Sequence, residues 1–151
     1  MSIDMMKLLV SACLLGENCK YNGSNNMNKD VIALRDKFEF IPVCPEHFGG
    51  LTAPREPAEI KNSRVVTKSG EDVTDAFADG AEKTLYIAQE CNAPAALLKE
   101  NSPSCGCGKV YDGTFSKKLI CGNGITAQLL LDNYIQVFGE NEIDKLTKLY
   151  L

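Results

Sequence analysis

The 151-residue sequence lacks three features that would each direct the search for a function. It has no apolar run long enough to cross a membrane, which argues against a transmembrane protein. It has no excess of positive charge, because the net charge is −4 at pH 7, so we expect no general affinity for nucleic-acid phosphates. It also has no internal repeat, low-complexity tract or linker, so we expect one domain over residues 1–151.

A segment at residues 10–13 superficially resembles a lipoprotein cleavage site. Its sequence, VSAC, ends in a cysteine, but the apolar stretch before it is only Leu8, Leu9 and Val10. A secretory signal needs a core of about 7–15 apolar residues. We therefore expect the protein to stay in the cytoplasm.

Seven cysteines are a high number for a cytoplasmic chain of this length. The odd count and a chain long enough to form its own core argue against a disulfide framework. In a reducing compartment such cysteines are either small buried hydrophobic residues or ligands of a metal or catalytic group. Their positions along the chain must distinguish the two.

Short apolar runs alternate with helical patterns along the chain. The runs predict buried strands at residues 6–11, 38–43, 95–98 and 135–138. Helical patterns occupy residues 29–37, the segment after a capping Thr74, about 124–131 and 140–149. A further short strand is predicted at residues 64–67, irregular structure at residues 49–57, and a hairpin turn at residues 111–114. This alternation predicts a single-domain α/β fold, a mostly parallel open sheet flanked by helices in a Rossmann-like three-layer arrangement.

Three cysteines follow predicted strands. Cys13 lies two residues past the first strand, Cys44 one residue past the second, and Cys105 a short loop past the third. Because the carboxyl ends of parallel strands share one edge of a sheet, where ligands usually bind, these three side chains can meet there. The pattern predicts one thiolate site built from Cys13, Cys44 and Cys105.

The other cysteines and the single histidine have weaker claims. Helix packing explains Cys91, and Cys107 is a spare ligand candidate because it is two residues from Cys105. Cys19 and Cys121 lie in loops or at strand ends and could face either way. We leave His47 out of the site as a solvated loop residue, although it follows Cys44 by three residues.

Three thiolates are compatible with more than one metal. A structural zinc site normally has four protein ligands, and a catalytic zinc site has three. Iron–sulfur clusters usually have four cysteine ligands. A cluster held by three cysteines would keep one iron open to bind a substrate as a Lewis acid.

Ordered motifs over nearly the whole chain resemble a bacterial family long labelled a domain of unknown function, which includes the thiouracil desulfurases. The motifs are SACLLG at residues 11–16, CKYNG at 19–23, PVCPE at 42–46, GGL at 49–51, PREPAEI at 54–60, KENSPSCG at 99–106, YDGTF at 111–115 and GNGITA at 122–127.

The resemblance implies a 4Fe–4S cluster held by Cys13, Cys44 and Cys105, with the fourth iron open. In that chemistry the open iron takes the sulfur of a small thiocarbonyl such as a thiolated pyrimidine, water replaces it at carbon, and sulfide leaves. No net electron transfer is needed. A soft iron prefers sulfur to the oxygen of the product.

The same motifs supply catalytic candidates. Glu46 is two residues from Cys44, so it is expected to act as general acid–base, with a pKa raised by the polyanionic cluster. Ser102 and Ser104 precede Cys105, and either hydroxyl could bind substrate or a proton-transfer water; Ser102 is the preferred candidate. Arg55 is expected to orient substrate or to pair with Glu59, and the Asp112-Gly113 hairpin to cover the site or to be ordinary surface.

Two alternatives remain open. A cluster enzyme could act on another small substrate, or the thiolates could form a non-catalytic zinc or cluster module that only ties loops together. Ligand count distinguishes these classes, because a structural site should recruit a fourth cysteine, Cys107 or Cys19. A catalytic site should leave a coordination position facing a cavity.

Overall fold

The central element is a four-stranded sheet, seen in a computed structural model that describes residues 5–151. In chain order the elements are β1 (Met6–Ser11), α1 (Lys29–Ile32), β2 (Phe38–Val43), α2 (Pro45–Phe48), β3 (Ala58–Lys61), β4 (Arg64–Thr67), α3 (Thr74–Glu90), β5 (Ala95–Leu98), β6 (Lys109–Tyr111), β7 (Leu119–Cys121), α4 (Ile125–Asp132), β8 (Gln136–Gly139) and α5 (Ile143–Tyr150). Short 3-10 turns, Ala12–Leu15 and Ala33–Asp36, follow β1 and α1. Residues 1–4 of the predicted domain lie outside the described residues.

All four strands of the central sheet are parallel, in the order β2-β1-β5-β8. Strands in such a sheet are covered on both faces, which explains their continuous apolar runs. Leu8, Leu9 and Val10 in β1 are each 0% exposed. The predicted α/β fold is confirmed.

Separate apolar cores cover the two faces of this sheet. On one face, Leu9 and Leu98 pack with residues of α3 and α4, including Ala88 and Leu130. On the other face, Leu8 and Leu97 pack with Val31 of α1 and Leu146 of α5. Alternate residues of each strand therefore point to opposite helical layers, as strand geometry requires.

The strand order places a switch point between β1 and β5. From β1 the chain first adds β2 on one side and later adds β5 on the other. In open parallel sheets the crevice beyond the carboxyl ends at such a point is the usual ligand site. Two small antiparallel sheets, β3–β4 and β6–β7, are separate from the central sheet. Within residues 5–151, no helix has the length and apolar character needed to cross a membrane.

Several local predictions differ from the structure. The helix predicted over residues 29–37 divides into α1 and a 3-10 turn. Residues 45–48, for which no element was predicted, form the short helix α2, whose first position suits Pro45 because its missing N–H has no helical partner there. Thr74 does not cap α3: its Oγ1 accepts a hydrogen bond from the Val65 N–H at 2.8 Å, so the side chain ties α3 to β4.

Two glycines allow α2 and α3 to touch through their backbones. A Cβ on Gly80 would lie 1.8 Å from the carbonyl oxygen of Pro45, and a Cβ on Gly49 would lie 1.9 Å from that of Ala76. Backbone atoms cannot move aside as side-chain ends can. This close approach positions the segment that carries Cys44 and Glu46.

We expect Gly80→Ala to destabilise the protein by about 1–3 kcal/mol because of the overpacked contact with Pro45. An exposed helical glycine would show the opposite effect, since alanine is favoured there by about 1 kcal/mol. Urea unfolding measures the difference. The control is Glu82→Ala at an exposed position of the same helix, for which a change within about 0.5 kcal/mol is expected. A more stable Gly80→Ala variant would contradict the close approach.

Candidate functional site

A cavity of about 640 Å3 lies at the carboxyl edge of the central sheet. Residues that follow β1, β2 and β5 line one part of its wall, and residues of β3, β4 and the β6–β7 hairpin line another. This is the switch-point crevice that the strand order predicts.

The structure brings the three cysteines that follow strands to this cavity. Cys13 lies in the 3-10 turn after β1, Cys44 directly after β2, and Cys105 in the loop beyond β5, and all three line the wall. Cys13 and Cys44 are half-buried, whereas Cys105 is 6% exposed. Residues far apart in sequence therefore present thiols to one space because their strands are neighbours.

Cys19, which the sequence allowed to face either way, also lines the cavity. Its thiol is near enough to those of Cys13 and Cys44 to act on the pKa of each. The loop after the first 3-10 turn folds back over the sheet edge, with the Asn26 N–H bonded to the Cys13 carbonyl at 2.9 Å. Its nearness to Cys13 in the SACLLG–CKYNG motif is the only sequence signal that could have indicated this position.

Cys19 favours the thiolate forms of its two neighbours. The pKa of Cys13 is lowered to about 7, first by the hydrogen bond from Cys19 and further by the Asn26 amide and the Lys99 ammonium, while burial acts in the opposite direction. The Asn26 Nδ2 lies 3.5 Å from the Cys13 Sγ. The pKa of Cys44 is lowered mainly by the same Cys19 thiol, and the pKa of Cys19 itself is raised. Thiolates are the forms that bind metals.

Cys105 has a different environment. Burial raises the pKa of its thiol to about 12, and hydrogen bonds from the Ser11 and Ser104 hydroxyls offset part of that effect. Ser11 is itself buried and accepts the Lys99 N–H at 2.9 Å. A positive centre in the cavity would favour the Cys105 thiolate, because its attraction for the negative sulfur would offset the loss of hydration on burial.

The two predicted serines have different positions. Ser102 lines the cavity, and its Oγ accepts the N–H groups of Ser104 and Cys105, each at 3.1 Å. Ser104 is 1% exposed, is not part of the cavity wall and is hydrogen-bonded to the Thr126 hydroxyl at 3.0 Å. Ser102 therefore lies in the cavity wall, whereas Ser104 is buried behind it, next to Cys105.

The turn at residues 122–124 holds the Cys105 loop in place. The first amides of α4 donate to carbonyls of that loop: Thr126 N–H to Ser104 O at 2.9 Å, and Ile125 N–H to Pro103 O at 2.8 Å. Gly124 has no room for a side chain, since a Cβ would lie 2.5 Å from Ser104 O. These amides serve the fold, so the helix start has a structural role.

Glu46 lines the cavity and forms an ion pair with Arg55. The Arg55 Nε donates to Glu46 Oε2 at 3.0 Å, and its Nη2 contacts the same oxygen. The guanidinium also donates to the carbonyls of Thr52 and Cys19, at 2.8 and 3.2 Å. This arrangement fixes the direction of the Glu46 carboxylate at the cavity wall. The suggested Arg55–Glu59 pair is wrong, because the guanidinium is committed to Glu46.

The hairpin at residues 111–118 lies over the site. Tyr111, Phe115 and Lys117 line the cavity. Glu59 of β3 holds this hairpin by accepting the N–H groups of Gly113 and Phe115 on its Oε1, at 3.0 and 3.1 Å. Of the two predicted roles for the hairpin, the geometry supports the cover.

The donor set around the cavity suits a group that uses several sulfur ligands. Within the described part of the chain, no three His, Cys, Asp or Glu side chains are arranged to hold a single metal ion. Each cysteine that holds a 4Fe–4S cluster binds a different iron, so the ligands of such a cluster do not converge on one point. Cys107 packs against the core, and neither Cys107 nor His47 lines the cavity.

Comparisons with known proteins point to one family. The model of the 2-thiouracil desulfurase family matches residues 8–142. A protein from Bacillus subtilis (strain 168), the uncharacterized protein YbbK, is 47% identical over 149 residues, which cover 92% of this chain and 99% of the relative. The solved structure of a [4Fe-4S]-dependent thiouracil desulfidase, TudS (DUF523Vcz), is similar with a TM-score of 0.89 and 42% identity, covering 94% of this chain and 95% of that one.

Proposed function

The chain belongs to the 2-thiouracil desulfurase family, and from that premise we propose that it is a 4Fe–4S-dependent enzyme that hydrolyses the carbon–sulfur bond of a thiolated pyrimidine such as 2-thiouracil. The observation that carries the proposal is the meeting of Cys13, Cys44 and Cys105 with Glu46 and Ser102 at one cavity. Its volume of about 640 Å3 leaves room for a small ring beside the thiols.

Cys13, Cys44 and Cys105 would hold the cluster. The lowered pKa values of Cys13 and Cys44 favour the thiolates that ligation needs, and the buried Cys105 gains a charge partner. When bound, the cluster supplies a soft Lewis-acid iron with affinity for thiocarbonyl sulfur. In the overall reaction C=S becomes C=O, water supplies the oxygen, and sulfide leaves with the protons of water, so no electrons are exchanged.

Glu46 takes the proton of the attacking water. Arg55 fixes its carboxylate through contacts that also anchor the Cys19 loop, so Oε2 is held and Oε1 is available to water. A general base held in this way contributes about 10²–10⁴-fold to rate. Once protonated, the same carboxyl group can return the proton to the departing sulfide.

Ser102 donates a hydrogen bond into the cavity. A hydroxyl group has two acceptor positions, and the Ser104 and Cys105 amides occupy both positions of Ser102. Its remaining capacity is the O–H donor, which suits a developing negative charge on the substrate or a water molecule. Ser104 does not reach the substrate and contributes by positioning Cys105.

The alternative of a non-catalytic cluster module has one observation in its favour, the presence of Cys19 in the wall of the same cavity as Cys13 and Cys44. A fourth cysteine could saturate a cluster that only ties loops together. The Glu46–Arg55 pair and the Ser102 donor at the same cavity favour catalysis, because a structural site needs neither. The cytoplasmic location stays a prediction.

The deciding experiment is anaerobic reconstitution with iron and sulfide, followed by incubation with 2-thiouracil. We expect about four iron and four sulfide per chain, and release of sulfide and uracil in equal amounts. Protein loaded with zinc alone serves as the control and should release neither. Full cluster incorporation with no sulfide release would overturn the thiouracil assignment. The protein would then be a non-catalytic cluster module or a cluster enzyme with another small substrate.

A further inference from the structure

Glu59 is a buried carboxylate that has only one oxygen engaged by the protein. The residue is 8% exposed and lies on β3, in the wall of the cavity opposite the sheet edge. Its Oε1 accepts the Gly113 and Phe115 N–H groups. Two amides on one oxygen fix the plane and direction of the carboxylate.

The hairpin that supplies these amides is itself rigid. Asp112 Oδ1 accepts both the N–H and the hydroxyl of Thr114, at 2.9 and 2.6 Å, which closes a tight turn. Gly113 adopts a φ of 92°, and a Cβ there would lie 2.8 Å from Ile60 O. Only glycine lets the turn approach β3 closely enough to bond Glu59.

The other oxygen, Oε2, belongs to a residue of the cavity wall. No hydrogen bond to it occurs among residues 5–151, and no side-chain oxygen in that range is both fully buried and without a partner. Oε2 is therefore accessible. None of the five ion pairs in the same range includes Glu59. A largely buried carboxylate with a free oxygen gains from a donor that enters the cavity.

We propose that Glu59 Oε2 accepts the N3–H of the pyrimidine and so selects uracil-type over cytosine-type thiobases, an inference that rests on the proposed function. When N1 carries a methyl group, N3 is the one ring nitrogen beside the 2-thiocarbonyl that can take part, and it bears a hydrogen in 1-methyl-2-thiouracil but a lone pair in 1-methyl-2-thiocytosine. An ionised carboxylate can only accept, so it bonds the first ring and repels the second. Glu59 is a specificity residue distinct from the proton acceptor Glu46.

Equilibrium binding under anaerobic conditions tests this assignment. We expect reconstituted Glu46→Gln protein, in which turnover is slowed, to bind 1-methyl-2-thiouracil about 10- to 100-fold more tightly than 1-methyl-2-thiocytosine, the size of one hydrogen bond to a charged group. Both ligands carry the same thiocarbonyl and the same blocked N1, so affinity for the sulfur contributes equally to each. Equal dissociation constants for the two would overturn the proposal.

Glu59→Gln is the matching variant. Its carbonyl oxygen can keep the two hairpin amides, while its NH2 group turns an acceptor into a donor toward the cavity. We expect the ratio of the two dissociation constants, which favours the thiouracil in the parent protein, to fall to one or to invert. The control is Glu56→Gln, which makes the same change at the same cavity, where both Glu56 oxygens already accept from Ser69. The control should keep the preference of the parent protein.

A purely structural Glu59 gives a different result. In that case Glu59→Gln would speed hydrogen exchange at Gly113 and Phe115 and leave the ratio of the two dissociation constants unchanged, which would overturn the proposal. Sulfide release is measured separately. A protein that shows the preference without releasing sulfide would contradict the proposed function alone, and one that releases sulfide without the preference would contradict Glu59 alone.

Discussion

Replacing Cys13, Cys44 or Cys105 singly with alanine is expected to reduce cluster iron to background and to abolish sulfide release from 2-thiouracil. Each thiol lines the same cavity from a different strand end, so neither of the other two can move into the vacated position without moving a strand. A cluster left with two protein ligands is exposed to loss. Iron and acid-labile sulfide per chain, measured after anaerobic reconstitution, check the result.

Three further variants complete this series. Cys91→Ala and Cys121→Ala are matched controls, since neither residue lines the cavity, and both should keep full iron content. Cys19→Ala separates the two classes of function: it should keep the cluster if one iron is open for substrate and lose iron if Cys19 is a structural ligand. Wild-type iron content in a Cys13, Cys44 or Cys105 variant would remove that residue from the site.

Glu46→Gln is expected to keep the cluster and to lower kcat for 2-thiouracil by about 10²–10⁴-fold. Glutamine has nearly the shape of glutamate, and its carbonyl oxygen can still accept from Arg55, but it cannot take a proton from water. Sulfide release at saturating substrate measures kcat, and the iron content of the same sample shows whether the cluster is retained.

The control for this variant is Glu56→Gln, which removes one carboxylate charge from the wall of the same cavity. We expect its kcat to stay near the wild-type value. An unchanged kcat for Glu46→Gln with full cluster would remove Glu46 from the mechanism. Equal losses for both glutamates would assign the effect to charge in the cavity and not to a positioned base.

The strands were predictable because burial on both faces of a sheet produces a pattern that is visible in a few consecutive residues. A parallel strand between two helical layers must be apolar at consecutive positions, and the runs that become β1, β2 and β5 have the bounds that the structure shows. β3 was not predicted, because it is short, follows two prolines and is defined by its pairing with β4. Pairing partners are set by tertiary contacts.

The candidate site likewise has one part that was predictable from the sequence and another part that was not. Cys13, Cys44 and Cys105 could be grouped from sequence, since each follows a strand and the ends of parallel strands share an edge. The nearness of Cys19 to two of them, the ion pair of Arg55 with Glu46, and the hydrogen bonds of Glu59 to the hairpin were not predictable. Each joins segments whose separation in space the local pattern does not encode.

The sequence by itself determined the α/β architecture, the resemblance to the thiouracil desulfurases, and the three cysteines, because the apolar runs of the buried strands and the places of the cysteines after them can be read from consecutive residues. Only the tertiary structure decided which carboxylate is held by an arginine, which serine faces the cavity and which carboxylate keeps a free oxygen. Those properties depend on the direction of single side chains, and that direction is set by hydrogen bonds between distant loops. The three thiols thereby lie in one cavity with a carboxylate held by an arginine, a serine hydroxyl and a hairpin cover.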